Sequence, residues 1–185
     1  LEKDLGHFST VLLCIIHEPV VKDLLKILLD AGLSPARVAM ATQEAAFVFG
    51  QWLIAHHKTG TVVTLELGSQ GVDLAVVRNG GLHFSRTIPL RPGENSLSAA
   101  EDLSREVKKS LQSWAKEHNE IVLDRVLVAG AGQDSENQLL ASLKNELGLP
   151  VDRINPWEAF PAMEEQVQRT NGFSLMGVLG AVLNT

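Results

Sequence analysis

The segment Thr61–Pro89, TVVTLELGSQGVDLAVVRNGGLHFSRTIP, constrains the fold more than any other part of the chain. Val62, Val63 and Leu65 lead into Glu66-Leu67-Gly68-Ser69-Gln70-Gly71. Leu74, Ala75, Val76 and Val77 follow, then Asn79-Gly80-Gly81, then His83 to Ile88. Runs rich in β-formers with short glycine turns between them read as a three-strand meander. The first turn also carries a candidate site. Glycines let backbone amides approach an anion, and successive amides can form a nest for one. An acid at the strand end, Glu66, can hold a metal or a water beside such an anion.

The flanking segments alternate. Thr10 to Ile16 reads as a buried strand. Pro19 to Asp30 reads as a helix with Val20, Val21, Leu24, Leu25, Leu28 and Leu29 on one broad face, ended by Gly32. Consecutive apolar residues of this helix cannot share one face, because they lie about 100° apart. Apolar surface is therefore expected to remain for another lobe or a partner. Val38 to Met40 is expected to be a brief strand or extended link. Thr42 to His57 reads as a second helix capped by Thr42, with Glu44 in its first turn, where the helix dipole favours an acid.

After the meander, Pro92-Gly93 marks a loop. Ser96 or Ser98 caps a long helix to about Glu117, with Leu103, Val107, Leu111 and Trp114 as its apolar stripe. Asp124 to Ala129 is a buried strand running into Gly130-Ala131-Gly132. Asn137 to Leu147 is a helix ending at Gly148. Val151 to Ile154 is a short strand stopped by Asn155-Pro156-Trp157, and Leu175 to Leu183 is a last helix. A meander followed by alternating units is mixed α/β rather than a wholly parallel sheet. The polar run His56 to Gly60 is the expected boundary between two parts.

Composition removes several function classes. The chain of 185 residues has a net charge of −6, which argues against a nucleic-acid partner. Its single cysteine, Cys14, lies in an apolar run and reads as a core thiol, so no disulfide forms within the chain. No apolar run approaches the roughly 20 residues of a membrane span, so no direct membrane insertion is expected. No signal peptide is evident, and a first residue of Leu reads as a fragment or processed chain. His56 and His57 are adjacent and point apart, and His7, His17, His83 and His118 have no ligand spacing, so no metal site is read. Ser69 and Ser135 are read in loops without a placed histidine, so no hydrolase triad is read. Arg105, Lys108, Lys109 and Lys116 form a basic helix face, ordinarily solvated. Trp52, Trp114 and Trp157 read as core or lobe-interface anchors.

Three elements in order carry a resemblance. They are Thr61 to Pro89 ending in FSRTIPL, then SREVKKSLQSW, then DRVLVAGAG followed by LLASLKNELGLPVDRINPWE. With VLLCIIHEPVVKDLLKILLDAGLSP, they resemble the PilM family of pilus-assembly actin-like proteins, relatives of the division protein FtsA. The resemblance implies an actin-like (ribonuclease H-like) ATPase fold, partial, with a mixed sheet. It implies that residues 1–58 are the remainder of a first lobe with its inserted subdomain. Residues 59–174 would be a second lobe with a reduced outer subdomain, and residues 175–185 a helix returning to the first lobe. The family's first phosphate loop would precede Leu1.

The same resemblance places nucleotide contacts at Glu66, Gly68, Ser69, Gln70, Gly71, Asp73, Gly130, Ala131 and Gly132, with ATP or ADP and Mg²⁺ as the implied ligands. This sequence departs from the pattern. Glu66 stands where the family has Asp, and Gly71 and Val72 stand where it has threonines. The segment from Pro89 to Ser104 is short where relatives wall the adenine pocket. The chemistry is accordingly read as degenerate, with no catalytic residue assigned. The implied role is a scaffold of type IV pilus or related secretion machinery, cytoplasmic and peripheral at the inner membrane. Its implied partners are a PilN-like inner-membrane protein tail and other pilus or secretion platform proteins. The alternatives are an ATP-dependent enzyme of the actin and sugar-kinase superfamily, or the cytoplasmic domain of a type II secretion platform protein.

Overall fold

The computed structural model describes residues 13, 15–68, 71–90, 97–118, 121–130, 133–155 and 176–183. The chain divides into two compact units, residues 1–38 and 39–185. This division falls upstream of the boundary expected at His56 to Gly60, because the second helix packs on the sheet rather than apart from it.

The first unit contains α1 (Glu18–Asp30). Pro19 sits in its first turn, where the missing N–H costs nothing. Gly32, at φ 77°, closes it: the Gly32 amide donates to the Leu29 carbonyl and the Leu33 amide to the Leu28 carbonyl. That pair of bonds is a Schellman cap, and the positive φ explains the glycine. No residue of α1 is buried, and Leu24, Ile27 and Leu29 are each more than half exposed. The buried strand expected at Thr10 to Ile16 is not found in the residues described there. Leu13, Ile15 and Ile16 are exposed and outside any strand, while Thr10–Leu12 and Cys14 lie outside the described residues. An apolar run alone does not specify a strand, which needs a partner to satisfy its backbone groups. Val38–Met40 is likewise not a strand.

The second unit is a five-stranded sheet with helices on both faces. Its elements are α2 (Ala41–Ala55), β1 (Thr61–Leu67), β2 (Gly71–Arg78), β3 (Gly81–Pro89), α3 (Leu97–Glu117), β4 (Arg125–Ala129), α4 (Gln133–Leu147), β5 (Val151–Arg153) and α5 (Met176–Leu183). Strand order is β3-β2-β1-β4-β5. The meander pairs antiparallel, while β1–β4 and β4–β5 are parallel. Asn79 and Gly80, both at positive φ, make the tight turn between β2 and β3, as an Asn-Gly pair does in a right-twisted hairpin.

Side-chain alternation assigns the two faces. Val63, Leu65, Val72, Leu74, Val76, Val126 and Val128 point to α3 and α4, joined by the stripe Leu103, Val107, Leu111 and Trp114. Val62, Ala75, Val77, Leu127 and Ala129 point the other way, to Phe49, Trp52 and Leu53 of α2 and Met176 of α5. At the start of β1 the Asp124 carboxylate accepts the Thr61 amide at 2.7 Å, and the Asp124 amide donates to the Thr61 carbonyl at 2.9 Å. This exchange fixes where β1 and β4 begin to pair.

Several local boundaries differ from expectation. Thr42 does not cap α2: Met40 holds the N-cap position without a side-chain bond, and Thr42 lies inside the helix. Helix α4 begins at Gln133 rather than Asn137, so Ser135 is helical, not a loop residue. Helix α3 begins at Leu97, so Ser98 is within it, and Ser96 lies outside the described residues. Trp52 and Trp114 are buried core residues, and Trp157 lies outside the described residues.

Candidate functional site

Strand β1 ends at Leu67 with Glu66 half-buried beside it. Strand β2 returns at once, so Glu66 stands directly opposite Asp73. On its other side Glu66 is in register with Ala129 at the end of β4. The next residue is Gly130, at φ 103°, a conformation that L side chains rarely adopt. Parallel pairing of β1 and β4 therefore brings two of the implied contact regions to one end of the sheet. Ligands of open α/β sheets bind at the carboxyl ends of strands, where these residues lie. The structure thus brings together Glu66, Gly68, Gly71, Asp73 and Gly130. Ser69, Gln70, Ala131 and Gly132 lie outside the described residues.

The detail of the turn bears on its chemistry. The Gly68 amide donates to the Gly71 carbonyl at 2.9 Å, so it closes the hairpin rather than facing a ligand. Gly71 lies against β3: a Cβ there would sit 2.8 Å from the Ile88 carbonyl oxygen. Its glycine is explained by close strand packing. Val72 is fully buried and belongs to the core. Asp73 accepts a hydrogen bond from the Thr87 hydroxyl at 2.6 Å, a cross-strand bond within the sheet. The described residues therefore do not fit a phosphate cradle. One glycine amide is committed to the turn, a second glycine is filled from behind, and no hydroxyl stands at Gly71 or Val72. Among the described residues, no group of three or more histidine, cysteine or acidic side chains could hold a metal ion.

Sequence reading did not single out the environment of Glu44. It lies in the first turn of α2 and is buried at 3% exposure. Helix α5 crosses it closely, since a Cβ on Gly180 would fall within 2.8 Å of the Glu44 Cα. Gly180 in the sequence was the available signal: a glycine in a short apolar helix marks a close crossing as often as a weak helix.

Three of the four cations on the basic face of α3 are ion-paired among the described residues. Arg105 pairs with Asp102 at 2.8 Å, Lys109 with Glu106 at 2.6 Å, and Lys108 with Glu146 of α4 at 3.1 Å. The Lys109 hydrogen bond and charge hold the Glu106 carboxyl below its ordinary value, against an opposing effect of desolvation and with a lesser lowering from the Arg86 charge. His56 ends α2 and stacks on Trp52, its Nδ1 2.8 Å from the Trp52 carbonyl oxygen. His118 repeats this arrangement on Trp114. Both histidines act at helix ends.

No family model matches this sequence, and no curated protein matches it. Solved structures do. The chain aligns with the PilM-PilN type IV pilus biogenesis complex at TM-score 0.62 and 21% identity, covering 89% of this chain and 57% of that one. A Bacteroides thetaiotaomicron protein with an actin-like ATPase fold aligns at TM-score 0.41 and 16% identity, covering 62% of this chain and 40% of that one. The AlfA filament bound to AMPPNP aligns at TM-score 0.40 and 19% identity, covering 76% of this chain and 41% of that one. The chain has the actin-like ATPase fold, on the strength of the first likeness, and spans a little over half of the length of that protein.

Proposed function

We propose that this chain is the later part of an actin-like scaffold of type IV pilus or related secretion machinery, held at the cytoplasmic side of the inner membrane by a protein partner. The likeness to the PilM-PilN complex over 89% of the chain carries this reading. Two features accord with it. Among the described residues no helix is long and apolar enough to cross a membrane. The hairpin at Gly68–Gly71 is closed by its own backbone, which suits a fold kept for shape rather than for phosphate chemistry.

In this reading residues 59–174 form the second lobe, and residues 1–58 belong to the first. The close packing of α5 on α2 accords with a last helix that returns to the first lobe. Nucleotide binding is absent or weak, and Glu66, Asp73 and Gly130 mark where its remnant lies. The partner is the cytoplasmic tail of a PilN-like inner-membrane protein. The exposed apolar residues of α1 supply part of the surface it meets in the full-length protein.

Calorimetry of the full-length protein with the cytoplasmic tail of its neighbouring membrane protein tests the reading. Saturable binding, lost in Ile27→Asp while the fold survives, is expected. Absence of binding overturns the scaffold reading, and binding that survives Ile27→Asp removes α1 from the surface.

A further inference from the structure

A groove of about 550 Å³ runs between β3 and α3. β3 is an edge strand among the described residues, nine residues long and paired only to β2. Edge strands present a row of backbone donors and acceptors to any extended chain alongside. The floor of the groove is apolar, made by buried Ile88 and Leu103 with Leu90 beside them. Its rim is charged. An edge strand flanked by a helix, with an apolar floor and a polar rim, is the geometry in which an extended peptide adds to a sheet and places alternate side chains in pockets.

Charge identifies the occupant. Five charged side chains line the groove: Arg86, Arg105 and Lys109 against Asp102 and Glu106. Arg105 is matched by Asp102 and Lys109 by Glu106. Arg86 bonds instead to the neutral Ser110 hydroxyl at 3.1 Å. The Ser110 hydroxyl in turn donates to the Glu106 carbonyl at 2.8 Å. Arg105 also reaches Glu101 at 4.0 Å, and the Arg86 charge acts on Glu106. Arg86 is thus the lining cation whose direct hydrogen-bond partner is neutral, and its fork of five donors suits a carboxylate.

We propose that this groove binds an extended acidic peptide segment of another protein, added to β3 as a further strand, with an apolar side chain over Ile88 and Leu103 and a carboxylate on Arg86. The backbone of β3 supplies the affinity common to any strand. Arg86 supplies the choice of an acidic segment over a basic one. The groove is lined by neither Glu66, Asp73 and Gly130 nor any residue of α1, so the proposal stands whether or not the pilus reading does.

The test uses the 185-residue chain and four fluorescein-labelled decapeptides of alternating Leu and Thr, read by anisotropy. One has a central Glu, one a central Lys, and two the Glu with every second amide methylated, one in each register. Saturable binding of the Glu peptide is expected, about tenfold tighter than the Lys peptide, as one close charge contact commonly gives. At least one methylated register should fail, since it removes the ladder donors. In Arg86→Glu the preference should reverse. Should that variant not fold, Arg86→Ala must lose the Glu-over-Lys discrimination. No saturable binding, equal binding of the Glu and Lys peptides, or indifference to methylation in both registers overturns the proposal. So does sedimentation showing that the chain forms a dimer that Arg86→Glu dissociates, because the occupant is then a second copy.

Discussion

The Gly68 amide donates to the Gly71 carbonyl at 2.9 Å, closing the turn between β1 and β2 on itself. Phosphoryl transfer depends on backbone donors and a positioned metal aimed at developing charge. A donor already spent within the hairpin does not contribute. With Glu66 in place of a shorter acid and no hydroxyl at Gly71 or Val72, several parts of such a site are missing together. The expected result is no Mg²⁺-dependent release of phosphate from ATP above a buffer control. Release that requires Mg²⁺ and disappears in Glu66→Ala would show that the turn is catalytic after all.

Gly71 is set by packing. Its missing Cβ would lie 2.8 Å from the Ile88 carbonyl oxygen and 3.4 Å from the Thr87 Cγ2. A side chain there would push β3 away from β2. Gly71→Ala is expected to cost about 1–3 kcal/mol, the ordinary range for overpacking. Urea unfolding followed by tryptophan fluorescence measures it, and an unchanged midpoint would mean that the hairpin gives way without cost.

Gly180 has a harder neighbour. A Cβ there would meet the backbone of Glu44, within 2.8 Å of its Cα and closer still to its carbonyl group. No side-chain rotation relieves a backbone clash, so the two helices must part. Gly180→Ala is expected to cost about 3 kcal/mol, at the upper end of overpacking effects. Hydrogen exchange should show α5 losing protection while α3 and α4 keep theirs. Retained protection of α5 would refute the crossing.

His57 offers the opposite sign. It follows α2 at φ 51°, with its amide bonded to the Ile54 carbonyl and the Lys58 amide to the Leu53 carbonyl. This is the cap that Gly32 makes after α1, here built on a residue with a Cβ. A left-handed conformation costs a non-glycine residue about 1 kcal/mol or more. His57→Gly is therefore expected to raise stability by about 0.5–1 kcal/mol, net of the extra freedom of glycine in the unfolded chain. A lowered denaturation midpoint would mean that the imidazole itself supports the cap.

Sequence alone determined the second unit's sheet and most of its helices. Runs of β-formers broken by short glycine turns named the meander from Thr61 to Pro89, whereas the face of each side chain came from the folded sheet, because these strands are apolar on both sides. Leu103, Val107, Leu111 and Trp114 named the buried stripe of α3, because a helix buries what recurs on one side. Asn79-Gly80 named its own turn. These are local rules, and local residues satisfy them.

Tertiary structure decided the rest. Thr10 to Ile16 is as apolar as β4. Yet Arg125–Ala129 is a strand because β1 and β5 lie beside it to bond its amides, while Leu13, Ile15 and Ile16 are exposed and outside any strand. Gly68 and Gly71 had the composition of an anion loop. Only the folded hairpin showed that one amide is spent on the other's carbonyl and that the second glycine is filled by β3. Glu44 and Gly180 are 136 residues apart in sequence, and nothing in either neighbourhood announces the other. A backbone donor has one partner at a time and a close contact has two sides, so both are known only once the distant segment is in place.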